Sequence, residues 1–190
     1  MQKEGLTNFN YYLQYFSLLE ERVENISKYI SIEKDNLQTY SVVLSSIIQD
    51  ACSVVNGICV DLCKKHSICK TKYDMKDFKF VFIEYYRSSF GNGVLFSNYK
   101  IFPWEKISIN IEKSINDIPS PIWWNDYNAI KHGGFDNFNK ATLKNAISAV
   151  AAVFSLLQMI DYSILGDTIC NWKGSFRAHG NYIKDKGWEC

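Results

Sequence analysis

Arginine is scarce in this chain: Arg22, Arg87 and Arg177 are the only three among 21 basic side chains, and the rest are lysine. That bears on any phosphate chemistry, because lysine lacks the planar bidentate fork of a guanidinium. Net charge is close to absent, +1 from 21 basic and 20 acidic residues. No global field therefore pulls the chain toward nucleic acid or an anionic membrane, although a short lysine stripe is enough to contact a few phosphates. Several reaction motifs are missing: the G-x-x-x-x-G-K-[ST] phosphate loop, the G-x-S-x-G elbow, H-E-x-x-H and the glycine-rich dinucleotide fingerprint. No internal repeat, low-complexity linker or domain boundary is visible, and 190 residues suffice for one domain, 1–190, with a substantial core. The N-terminus is polar and charged and has no apolar h-region. The longest apolar stretch, Ala146–Ile160, is interrupted by Ser148, Ser155 and Gln158 and reads as too short for a bilayer. The expectation is a cytoplasmic protein without a membrane span.

Six cysteines are present. Cys52, Cys59, Cys63 and His66 fall at helical spacing beside Ile48, Val55 and Leu62, and Cys69 follows. Ligands seven residues apart on one helix lie about 10 Å apart along its axis, too far for one tetrahedral zinc. Only neighbours such as Cys59 and Cys63 could share an ion. The expectation is reduced, buried thiols, no disulfide, no metal and no cofactor.

What the chain does have is long amphipathic periodicity. Phe9, Tyr12, Leu13, Phe16, Leu19, Val23, Ile26 and Ile30 recur every three or four positions and predict a helix over 8–30. After "SIEKDN" a second helix is predicted from Asn36 or Thr39 to Lys65, antiparallel to the first. The middle, 67–119, is irregular: "MKDFKFVFIEYYRSSF" suits a short helix, and "GNGVLFSNYKIFPWEKISI" suits a small hairpin or an extended crossover. A final helix is predicted from Asn139 to Tyr162, with Leu143, Ile147, Val150, Phe154 and Leu157 on its stripe. Its alanines would allow close approach by another helix. The tail, 165–190, shows no period, and its aromatics Trp172, Phe176, Tyr182 and Trp188 suggest packing on the domain or on a partner subunit.

The stretch "PSPIWWNDYNAIKHGGF", 119–135, concentrates the chemistry. Ser120 and Pro121 form a helix-start pattern, Asp126 suits the early turns, and Gly133-Gly134 is a stop. At 100° per residue Trp123, Tyr127 and Ile130 share one arc, Asn125, Asn128 and His132 fall opposite, and Trp124 and Lys131 lie on a flank. An imidazole titrates near neutrality and moves protons. Lysine is a point charge for phosphate, and amides orient partners. A solvated helix face remains the plain alternative.

"WWNDYNAIKH" followed by "FNKATLKNAISAVAAVFSLL" resembles bacterial HEPN-like proteins, in which a Trp-x-x-Tyr-Asn-x-hydrophobic-Lys-His segment precedes an alanine-rich helix. The N-terminal helices and "KIFPWEKI" resemble the same group, so that the likeness runs in order from Phe9 to Leu157. It implies a mainly α fold, a helical bundle with long antiparallel helices and an irregular middle, assembled as a homodimer. Many such proteins are metal-independent endoribonucleases of toxin–antitoxin, abortive-infection or CRISPR-associated antiviral defence. In active members an arginine precedes a histidine by four to six intervening residues. The arginine holds the scissile phosphate and the histidine assists attack by the 2′-hydroxyl.

Here His132 fits the histidine, but Tyr127, Asp126 and Asn125 occupy the positions open to the arginine. Two functions follow. In the first, an RNA-cleaving protein uses His132 as acid/base, Lys131 as phosphate contact and Asn128 as an orienting group, with Asn125, Trp124 and Arg87 in binding roles. In the second, a non-catalytic HEPN-like module dimerises and binds an antitoxin, a defence-system protein or a nucleotide. A metal-binding regulator built on the cysteine run is a third and weaker reading.

Overall fold

The computed structural model of the chain describes residues 8–165 and 174–181. The protein is mainly helical, with a small three-stranded sheet. Its elements are α1 (Phe9–Ser27), α2 (Val42–Lys65), α3 (Met75–Tyr85), β1 (Asn92–Phe96), β2 (Tyr99–Ile101), α4 (Glu105–Ser108), α5 (Ile122–Gly133), α6 (Leu143–Leu165) and β3 (Phe176–Asn181). Short 3-10 turns occupy Lys34–Asn36 and Gly134–Lys140.

α1 and α2 form from the periodicity read above, and Phe16, Leu19 and Val23 of α1 are buried. The two helices run antiparallel: Arg22 bonds Asp50 at 2.6 Å, while toward the other end Tyr12 donates to Asp61 at 2.6 Å. Burial, together with the Asp61 carboxylate, pushes the Tyr12 phenol up. α2 begins later than expected, at Val42, because residues 37–41 are recruited into a tertiary pairing. The Leu143 and Lys144 N–H groups donate to the Thr39 and Leu37 carbonyls at 2.8 and 3.0 Å, and Tyr40 bridges Thr142. The same segment thus satisfies two of the free N–H groups at the start of α6, and the Thr142 hydroxyl accepts from a third, that of Asn145, at 3.2 Å. Ser41 then caps α2 by accepting from the Leu44 N–H.

α6 also starts later than predicted, at Leu143 rather than Asn139, since Gly134–Lys140 takes the tighter turn. α6 does not behave as an amphipathic stripe. Ala146, Ala149, Val150, Ala151, Ala152, Val153, Leu156 and Leu157 leave it buried all round, in contact with α1, α2, α5, β1 and β3. The alanines therefore serve packing inside the chain and are not a surface for a second subunit. By length and composition α2 and Leu143–Ile160 of α6 could each cross a membrane, which corrects the expectation that the apolar run is too short. In the fold, 56% of the α2 window and 83% of the α6 window are buried.

In the middle, Asp74 and Asp77 form a reciprocal capping box that starts α3. The hairpin reading holds for β1 and β2, with Val94 opposite Ile101 and Phe96 opposite Tyr99. The tail is not irregular throughout: β3 completes an antiparallel sheet of order β2-β1-β3, with Phe96 opposite Phe176. Phe176 packs on the domain itself, its ring centroid 4.7 Å from Phe96 and 5.9 Å from Phe16. Its N–H donates to the buried Glu20 carboxylate at 2.9 Å, which fastens β3 to α1. Trp172, Tyr182 and Trp188 lie outside the described residues.

Candidate functional site

α5 carries the tryptophan–asparagine–lysine–histidine segment, and its start differs from the expected cap. Pro121, with ψ 143°, is itself the boundary residue, and no side chain caps the helix. The Pro121 carbonyl accepts from the Trp124 and Asn125 N–H groups at 3.2 and 3.1 Å. At the other end Gly134 has φ 54° and ψ −131°, a conformation that favours glycine. A Cβ on Gly133 would collide with the Asn137 side chain. The double glycine therefore ends the helix and turns the chain tightly back toward α6.

Aromatic packing holds α5 in place. The Trp123 indole N–H donates to the Pro103 carbonyl at 2.8 Å inside the fold. Rings then run edge to face from Trp104 to Trp123 at 5.3 Å and from Trp123 to Trp124 at 5.8 Å. Trp124 also meets Phe78 of α3 at 6.3 Å and Tyr127 at 5.5 Å. Trp124 is thus a buried packing residue rather than one on a flank open to a ligand. Lys79 of α3 adds a polar tie: its buried ammonium donates to the Ile118 carbonyl at 2.5 Å, and burial lowers its pKa.

On this base the C-terminal end of α5 presents two side chains. Lys131 is exposed, its Nζ 5.7 Å from the Tyr127 ring centroid, in cation–π range. His132 is exposed in the last turn, where positive charge suits the helix dipole. Asn125 is exposed and Asn128 half-buried. The structure therefore brings Lys131 and His132 together at one helix end, with Asn128 one turn earlier. It does not bring Arg87 to them as a free cation: Arg87 forms an ion pair with Glu112. Arg22 is held by Asp50 and Ser46 between α1 and α2.

One element of the site escaped the sequence reading. Asp126 accepts from the Asn145 amide at 2.9 Å and lies 3.7 Å from the Lys140 ammonium. Asn145 also donates to the Lys140 carbonyl at 2.9 Å. These bonds tie α5 to the turn and to the start of α6, and so fix the direction in which the His132 end points. The acid of an early helical turn was visible as such, but its partner, nineteen residues further on, had no local signal.

A shallow cleft of about 100 Å³ opens between the starts of α5 and α6, lined by residues that include Phe102, Lys106, Ile122 and Lys144. It lies at the opposite end of α5 from His132, about 15 Å along the axis at 1.5 Å per residue. The Lys131–His132 pair therefore sits on open surface and not in that cleft.

Among the described residues no three His, Cys, Asp or Glu side chains are grouped to hold a metal ion. Cys52, Cys59 and Cys63 are buried thiols and Cys69 is exposed. Burial pushes Cys52 and Cys59 well above the ordinary thiol range, and burial with the nearby Asp77 charge pushes Cys63 up to about 11. Thiolates are the reactive form. Iodoacetamide at pH 8 on the native protein is accordingly expected to label Cys69, and to reach Cys52, Cys59 and Cys63 only after denaturation. Peptide mass mapping reads this directly, and native labelling of Cys59 would contradict the packing of α2.

No protein-family model, curated protein or solved structure matches the chain.

Proposed function

We propose that the chain is a HEPN-like, RNA-acting protein of a bacterial defence or toxin–antitoxin system. In it the end of α5 is the reacting surface, and cleavage proceeds without a metal. The supporting observation is the Lys131–His132 pair, exposed at the end of a helix whose other faces are locked by buried tryptophans. A fixed helix with an exposed imidazole meets the geometric need of proton transfer, a group held where a substrate can approach it. In this scheme His132 moves the proton of the attacking 2′-hydroxyl or of the leaving oxygen. Lys131 neutralises the phosphate, and Asn128 orients one of them. The likeness of the segment to HEPN-like proteins supplies the substrate class.

A second copy completes the site in this proposal, because a single chain offers one imidazole and one lysine on open surface. Sedimentation equilibrium at micromolar concentration should then give twice the 22.0 kDa chain mass. A single-chain mass at the highest soluble concentration would remove the paired site.

One observation favours the alternative, a non-catalytic dimerisation and binding module for a partner protein or nucleotide. Arg87 pairs with Glu112, Arg22 pairs with Asp50, and Arg177 belongs to β3, so α5 itself carries no guanidinium beside Lys131 and His132. Incubation of a mixed RNA with the purified protein in excess chelator separates the two readings. Cleavage that depends on His132 supports the first, and an inert wild type supports the second.

A further inference from the structure

We propose that the C-terminal end of α2 and the outer side of α3 form a separate shelf that binds single-stranded RNA. The choice of RNA over other polyanions rests on the RNA-acting function proposed above; the shelf itself rests on its own geometry. Residues 64–87 carry seven Lys or Arg and three Asp or Glu, whereas the rest of the chain carries fourteen and seventeen. A nearly neutral protein thus concentrates its positive charge in one short span.

The acids of that span are largely occupied. Asp74 accepts from the Lys76 and Asp77 N–H groups as the cap of α3, and Asp77 pairs with Lys70. Glu84 remains exposed, and Arg87 is offset by Glu112. Lys64, Lys65, Lys72 and Lys76 are exposed and have no acidic partner among the described residues.

Beside these lysines lies a set of open rings. His66 stacks on Tyr85 with centroids 3.7 Å apart and planes 12° from parallel, and its Nε2 is 3.1 Å from the Tyr86 hydroxyl. Phe80 meets Tyr85 edge-on at 6.4 Å. Tyr85, the last residue of α3, remains 46% exposed, and Phe80, on the side of α3 away from the buried Phe78 and Phe82, is 38% exposed. Burial and the Lys65 charge lower the His66 pKa, which suits a neutral stacking partner.

Exposed aromatics flanked by flexible lysines match the chemistry of an unpaired strand, whose bases offer π-faces and whose backbone offers phosphates. A duplex hides its base faces, and an acidic peptide has no use for the rings.

The test is fluorescence anisotropy with a labelled twelve-nucleotide RNA of mixed sequence. It is run on His132→Ala protein so that cleavage does not consume the probe. In that background Tyr85→Ala is expected to weaken binding about tenfold, while Tyr85→Trp retains it. Lys64→Ala with Lys65→Ala should flatten the slope of log affinity against log salt by about 1.4, at roughly 0.7 per charge lost on a single strand. Thermal unfolding checks that each variant is folded, and Tyr85→Phe should bind like its parent. Unchanged affinity in Tyr85→Ala overturns the shelf. So does tighter binding of the matching DNA strand, of the RNA duplex or of polyglutamate. Cleavage that survives the loss of shelf binding leaves the α5 proposal standing, and shelf binding by a protein that never cleaves leaves this one standing.

Discussion

Replacing His132 with alanine should lower metal-independent RNA cleavage by about 10²–10⁴ in rate, the usual worth of general acid–base catalysis. The fold should not be affected. The imidazole is exposed at the end of α5 and makes no hydrogen bond among the described residues, and substitutions at such places usually stay within about 0.5 kcal/mol. The loss should appear in kcat rather than KM, because proton transfer is felt in the transition state. Lys131→Ala should behave differently: weaker binding, and a salt slope shallower by about 0.7 for one phosphate contact on a single strand. Lys131→Arg restores the charge and adds the bidentate fork that the surface lacks, so it should match or exceed the wild type. The assay is single-turnover cleavage of a mixed RNA in chelator, with matched unfolding curves. Equal rates for wild type and His132→Ala would remove the histidine from catalysis, whatever the source of the activity.

Where packing is local and periodic, the sequence was enough. Phe16, Leu19 and Val23 announced the buried side of α1, and Trp123 and Ile130 that of α5. Periodicity failed where burial is not one-sided. α6 reads as a stripe with alanines to spare, yet those alanines are fully buried, because the helix runs through the middle of the fold and packs on α1, α2, α5, β1 and β3. It failed again where backbone pairing is long-range. Nothing local in "FRAHGN" marks β3, whose partner strand β1 lies some eighty residues earlier and whose first N–H is taken by Glu20 of α1. The same holds for residues 37–41, which look like the start of α2 but leave the helix to bond α6. At the candidate site Lys131 was placed only on the flank it shares with Trp124, whereas the exposed His132 was legible from helical angles alone. The burial of Trp124 was not, because it depends on Phe78 arriving from α3.

The largest stability effect is expected at Trp123. Truncation to alanine should cost about 3–5 kcal/mol, as for other buried aromatics whose cavity cannot fully collapse. Two features place it toward the upper end. The indole is 4% exposed and lies between Trp104 and Trp124, rings that cannot follow it without losing their own edge-to-face contacts. Its N–H satisfies the Pro103 carbonyl at 2.8 Å, and a buried acceptor left unpaired costs about 1–3 kcal/mol more, not strictly additive with the cavity. Trp123→Phe loses the bond but only part of the ring volume, so it leaves a smaller cavity than alanine does. It should fall between the alanine variant and wild type. Ile122 is the control: it is the preceding residue, 53% exposed, and its alanine variant should lie within about 0.5 kcal/mol of wild type. Urea unfolding gives the comparison, with a shifted midpoint at constant slope marking a change in stability rather than in cooperativity. At roughly 2–4 °C per kcal/mol for a chain of this size, Trp123→Ala should melt about 6–20 °C below wild type. Since Pro103 precedes α4 and Trp123 opens α5, the same variant should loosen the seat of the His132 end. RNA cleavage should then fall in Trp123→Ala even at temperatures where it is fully folded. A Trp123→Ala protein no less stable than Ile122→Ala would mean that α5 is not anchored through this indole.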